Sequence, residues 1–131
     1  MATTQSFKGN GSPQITFRLR GPLASLGEHE FTGILDTGFT GFVSIPLLKA
    51  FPIGLVLSGM TNLTLADGKS QSHLYCLGEV LWESRSEVGI VVLAPPDATI
   101  LVGMEFLRKF NLTMIVDPQS ELLSLHDTSG E

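Results

Sequence analysis

The chain has 131 residues, 43% of them hydrophobic and only 16% charged, with a net charge of −5; this describes one folded domain with a sizeable core, too short for two lobes and too apolar for a disordered chain. Its charges form no basic block, so nucleic acid, whose phosphates require a basic surface, is excluded as a partner. Cys76 is the only cysteine, and His29, His73 and His126 are scattered without ligand spacing, so neither a disulfide, a metal nor a cofactor is expected.

Residues 1–13 are polar and carry Gly9, Gly11 and Pro13, the composition of a flexible N-terminal arm without the apolar stretch of a signal peptide. The folded domain is assigned to 14–127 and a short C-terminal tail to 128–131. Ile15, Phe17 and Leu19 alternate with Thr16, Arg18 and Arg20, the period of a half-buried strand. Residues 30–35 form the next strand and deliver Asp36, followed by Thr37, Gly38, Phe39, Thr40 and Gly41. A strand is predicted over 42–45, and Pro46 opens a short helix at 47–51.

Residues 61–75 read as a β-hairpin turning at Asp67 and Gly68, a strong hairpin dipeptide; so polar a hairpin is marginal alone, as a mobile lid must be. Strands follow at 78–83 and 87–93, the second aliphatic enough to be buried on both faces, and at 99–102. Residues 104–110 have helical spacing and end on Arg108 and Lys109, cations favoured at a helix C-terminus. A last hairpin joins 112–116 to 122–125 through Asp117, Pro118, Gln119 and Ser120. The predicted class is all-β with one clear helix near the C-terminus. Its longest apolar runs, 53–57 and 89–96, are too short to span a bilayer, so a cytoplasmic protein without membrane contact is expected.

A buried strand that ends on an acid is costly unless the acid is used or paired. Glycines at 38 and 41 let the backbone turn tightly and another chain approach. Asp36-Thr37-Gly38 behind Ile34 and Leu35 resembles the active-site loop of aspartic proteases. Ile100-Leu101-Val102-Gly103, leading into Met104, Glu105, Phe106 and Leu107, is similar to the family's second signature, an aliphatic run closing on glycine before a short helix. With one lobe's length, the chain resembles the retroviral-type (retropepsin-like, clan AA) enzymes over residues 15–126.

The resemblance implies a closed barrel with one short C-terminal helix and a flap hairpin over the cleft. It implies an aspartic endopeptidase acting on polypeptides, without metal or cofactor, in which water is activated between two Asp36 carboxylates. Two carboxylates sharing one proton supply base and acid at one pH. The chain has a single Asp-Thr-Gly; Leu101-Val102-Gly103 lacks the acid, and Asp67, Asp97, Asp117 and Asp127 do not supply it. A C2 homodimer brings the second Asp36, with interface candidates in the 36–38 loop and the termini, Leu122, Leu123 and Leu125 forming an intersubunit strand. Thr37 then bonds across the axis, Gly38 admits the substrate backbone, and Thr40, Ala66, Asp67, Gly68 and Leu101 contact substrate. Phe39 stands where the family commonly has alanine, and either narrows the cleft or packs outward; Asp67 disfavours acidic substrate residues beneath it. Two other readings stay open: a catalytically silent peptide-binding or dimerisation module on the same fold, and an unrelated small β-barrel with a turn acid.

Overall fold

Short strands take up most of the chain in the computed structural model, which describes residues 2–6, 13–64 and 67–127. The strands are β1 (Ala2–Ser6), β2 (Gln14–Arg20), β3 (His29–Leu35), β4 (Val43–Pro46), β5 (Leu57–Thr64), β6 (Ser70–Trp82), β7 (Arg85–Ala94), β8 (Leu101–Val102), β9 (Leu112–Asp117) and β10 (Leu122–Asp127). Among the described residues two short α-helices interrupt them, α1 (Leu47–Ala50) and α2 (Met104–Lys109), with 3₁₀ turns at Ala24–Leu26 and Phe51–Ile53. The all-β expectation holds. Among the described residues no helix is long and apolar enough to cross a membrane.

Alternation decides which way each strand faces. Ile15, Phe17 and Leu19 of β2 are buried, and their neighbours line the outer surface. Seven strands pair in the order β2, β3, β8, β4, β7, β6, β5, and β2 pairs a second time with β6 through Arg18↔Leu81, Leu19↔Val80 and Arg20↔Glu79. The Arg20 guanidinium donates to Glu79 at 2.8 Å across that second pairing. A separate sheet of β1, β10 and β9 carries the two ends of the chain.

The core centres on aromatic rings. Phe106 of α2 and Phe110, which caps that helix, lie 4.7 Å apart, Trp82 meets both edge-on at about 6 Å, and Phe42 lies 5.9 Å from Phe106. Each such buried side chain contributes roughly 1.5–3 kcal/mol. Arg85 stands 5.5 Å over Trp82 and over Phe110, donates to the Phe110 carbonyl at 2.9 Å and pairs with Asp127 at 3.2 Å. One cation thereby joins β7 and β10 to the end of α2.

Several expectations change. The expected burial of 87–93 on both faces holds for Val91, Val92 and Leu93 but not for the first half of the stretch, where Val88 and Ile90 are 60% and 37% exposed. An unbroken aliphatic run hides an alternation that only the sheet's open face reveals. Residues 78–83 are not a separate strand but the far half of β6, which is 13 residues long and continuous with the 61–75 hairpin. Leu123 and Leu125 are buried in their own core, and β10 is flanked by β1 and β9 of the same chain. Neither side of β10 is left for a strand from a second subunit. Pro46 both closes β4 and stands at the N-cap of α1, and Ala2–Ser6, within the stretch read as an arm, runs antiparallel to β10. The tail at 128–131 lies outside the described residues.

Candidate functional site

Asp36 sits where β3 ends, and the chain around it is fixed by β8. That strand lies between β3, to which it runs parallel (Ile34↔Leu101, Leu35↔Val102), and β4, to which it runs antiparallel (Val43↔Val102, Ser44↔Leu101). The connection from Leu35 to Val43 must therefore wrap around the end of β8. The Asp36 amide donates to the Val102 carbonyl at 2.9 Å, and the Phe39 amide closes a turn on the Asp36 carbonyl at 3.0 Å. Asp36 Oδ1 accepts the Gly38 amide at 2.9 Å, an arrangement in which the side chain itself organises the turn. The carboxylate is half-buried, while Thr37 and Gly38 are exposed.

The two glycine motifs read from the sequence meet here. The Gly103 amide donates to the Phe42 carbonyl at 2.9 Å, that of Met104 to Phe39 at 2.9 Å, and that of Glu105 to Gly41 at 3.1 Å. The first amides of a helix lack partners within it, and in α2 the Asp36 loop supplies them. Phe39 packs inward, 8% exposed, which decides against both alternatives expected for it. Room for its ring comes from missing side chains: a Cβ on Gly41 would lie 2.6 Å from Phe39 Cζ, and one on Gly103 would lie 2.6 Å from Cδ2.

Beyond Phe39 the chain borders a groove of about 500 Å³. Thr40, Gly41 and Phe42 form one side, Thr61 and Leu63 of β5 another, Leu77, Val88, Ile90 and Val92 the apolar sheet face, and Glu105 and Lys109 of α2 an end. The β5–β6 hairpin rises beside it. A register shift between Leu57 and Gly59 bends the hairpin, and Ser58 Oγ accepts the Leu77 amide at 3.3 Å there. At its tip Asp67 Oδ1 accepts the Lys69 amide at 2.9 Å, and Gly68 has φ +85°, a conformation that favours glycine.

Of the residues read as site candidates, Asp36, Thr37, Gly38 and Thr40 share one loop. Thr40 alone of them borders the groove. Leu101 is half-buried in β8, held between β3 and β4. Asp67 and Gly68 are exposed at the hairpin tip and do not border the groove; the stem residues Thr61 and Leu63 do. Ala66 lies outside the described residues. The groove residues on β6, β7 and α2 were not singled out from the sequence. Their signals were the alternation within 86–92 and the i,i+4 spacing of Glu105 and Lys109 on one helix face. Among the described residues no three His, Cys, Asp or Glu side chains converge as metal ligands would. No family model matches the sequence, and no curated protein matches it.

Proposed function

We propose that this chain is a retropepsin-like aspartic endopeptidase that works as a homodimer, each subunit lending one Asp36. The observation that carries the reading is the joint between the two glycine motifs. β8 threads between the strands on either side of the Asp36 turn, and the turn caps α2, so a half-buried carboxylate is held at a strand end with one oxygen bonded inside the chain. The second pairing of β2 with β6 supports a closed-barrel reading. The bent hairpin beside the groove supports a flap. Exposed Thr37 supports contact across an axis, and the exposed apolar side chains of Ile115, Val116 and Leu122 support a subunit interface on the β9 side of the small sheet.

In the proposed dimer a water lies between two Asp36 carboxyl groups that share one proton. The ionised group takes a proton from the water as its oxygen attacks the amide carbon, and the protonated group gives its proton to the carbonyl oxygen. The resulting diol collapses as the amide nitrogen is protonated and the C–N bond breaks. Two nearby carboxyls cannot both ionise comfortably, so activity belongs to the singly protonated pair and follows a bell-shaped pH profile.

Cleavage of a mixed peptide library by the wild type and by Asp36→Asn tests this. A fall of about 10²–10⁴ with the fold and assembly intact is expected; an Asp36→Asn protein that cleaves at the wild-type rate overturns it. A second reading, a peptide-binding module without catalysis, is favoured by one observation: the 500 Å³ groove runs past Thr40 and Gly41 and does not include Asp36. It predicts peptide binding by both proteins and cleavage by neither.

A further inference from the structure

We infer that the groove selects a peptide segment in which a large apolar side chain lies next to an acidic residue, with Lys109 receiving the acid. The inference rests on the proposed reading of this surface as a peptide-binding one. A pocket of roughly 300–1,000 Å³ takes a drug-sized ligand, so 500 Å³ admits a short stretch of peptide. Leu77 and Ile90 are direct cross-strand partners, and Val88 lies beside Ile90 on the same face; these three are exposed and give a water-facing apolar floor, with Val92 buried at its far end. Beside it β5 pairs only with β6 among the described strands, and an open strand edge offers backbone groups to an extended chain.

Two ionised side chains border the groove, Glu105 and Lys109. The Glu105 carboxylate is paired with Arg108 at 2.7 Å. Lys109 forms no ion pair among the described residues; its ammonium lies 5.8 Å over the Phe42 ring. Gly89 makes that placement possible, because a Cβ there would come within 3.2 Å of Lys109 Cε and would also meet the Phe42 ring. The groove thus ends in a half-buried cation beside an aromatic face, where water is partly displaced and a carboxylate gains more than it would in open solvent. The preference is local to Lys109, since Asp67 at the hairpin tip is not part of the groove.

The probe is a set of short labelled peptides carrying Leu, Phe or Val next to Glu, Gln or Lys, read by fluorescence anisotropy on the full chain with Asp36→Asn, so that binding is seen without cleavage. Peptides with Glu are expected to bind about five- to tenfold more tightly than their Lys counterparts, with an advantage that shrinks as salt rises. Lys109→Gln removes the difference and Lys109→Glu reverses it. If Lys109→Glu fails to fold, Lys109→Gln and the salt series decide alone. An unchanged ranking in a folded Lys109→Gln protein overturns the inference, as does the absence of binding by any peptide. Cleavage by the wild type without the acidic preference sinks this inference and leaves the protease reading standing; acid-dependent binding without cleavage does the reverse.

Discussion

Gly41 and Gly103 both make room for Phe39, yet alanine should behave differently at the two positions. At Gly41 the three atoms nearest a Cβ all belong to the Phe39 ring, the closest at 2.6 and 2.7 Å, against the ~3.5–4.0 Å of a relaxed carbon contact. Overpacking of this kind costs about 1–3 kcal/mol. At Gly103 the Cβ meets the same ring and also the backbone oxygens of Gly41 and Phe39, the latter at 2.6 Å. Those oxygens accept the Glu105 and Met104 amides, so relief requires the loop to leave the helix. Two lost hydrogen bonds at about 0.5–1.5 kcal/mol each bring the total for Gly103→Ala to roughly 2–6 kcal/mol, a large share of the ~5–15 kcal/mol that holds a domain folded. Gly103 has φ −111°, so the cost is one of space and not of backbone strain. Urea unfolding followed by the fluorescence of Trp82, the single tryptophan, measures both variants. Adding Phe39→Leu should recover about 1–2 kcal/mol of the Gly41→Ala loss and a smaller fraction of the Gly103→Ala loss. Equal rescue of the two, or a Gly103→Ala protein within about 0.5 kcal/mol of wild type, would refute the account of the joint.

The hydrogen bond from Arg20 holds the Glu79 carboxyl below the ordinary glutamate range. A depressed acid contributes stability above its unfolded pKa and loses it as pH falls through the folded one, so the urea midpoints of wild type and Glu79→Gln should differ at neutral pH and converge in acid. Burial pushes the Cys76 thiol up, and the residue is fully enclosed; a thiol reagent should label it only at the rate of unfolding, and rapid native labelling would contradict the packing. Amides of 61–75 should exchange with deuterium faster than those of 89–93 in the free protein and slow when a peptide binds, whereas equal protection without ligand would remove the lid role. On the homodimer reading, activity at low concentration should rise with the square of protein concentration, and strict proportionality together with a monomer in sedimentation would count against it.

What the sequence disclosed was local, and what it withheld was long-range. Asp67-Gly68 and the turn at 117–120 announce hairpins because a positive φ or a side-chain turn bond is written into two to four residues. Ile15, Phe17 and Leu19 announce a strand by period. The 34–41 stretch reads as a strand and a glycine turn and 100–107 as strand, glycine and helix, but nothing in either says that β8 would lodge between β3 and β4. That arrangement depends on pairing between segments 67 residues apart, as in Ile34↔Leu101. Val88 and Ile90 misled for a related reason: aliphatic residues on both faces of a strand signal double burial only if something covers the second face. The pairing of Ala2–Ser6 with β10 has no local signal either, since a short polar stretch becomes a strand there through the neighbouring edge.

The bonds that hold Asp36 in place are also the bonds that finish the fold. The Met104 and Glu105 amides are spent on the loop carbonyls and that of Phe106 on Gly103, so the start of α2 is a fastening and has no free donors to offer a ligand. Among the described residues the Asp36 carboxylate receives the Gly38 amide from its own turn, a bond that orients the group and leaves its second oxygen for other partners. Such a group is rigidly aimed but chemically incomplete, because hydrolysis by water needs a base and an acid together. On the proposed reading the missing half comes from a second copy of the same turn. The groove, which begins at Thr40 and ends at Lys109, is complete within one chain. On the same reading a single subunit recognises a peptide without being able to cut it, and catalysis depends on assembly in a way that recognition does not.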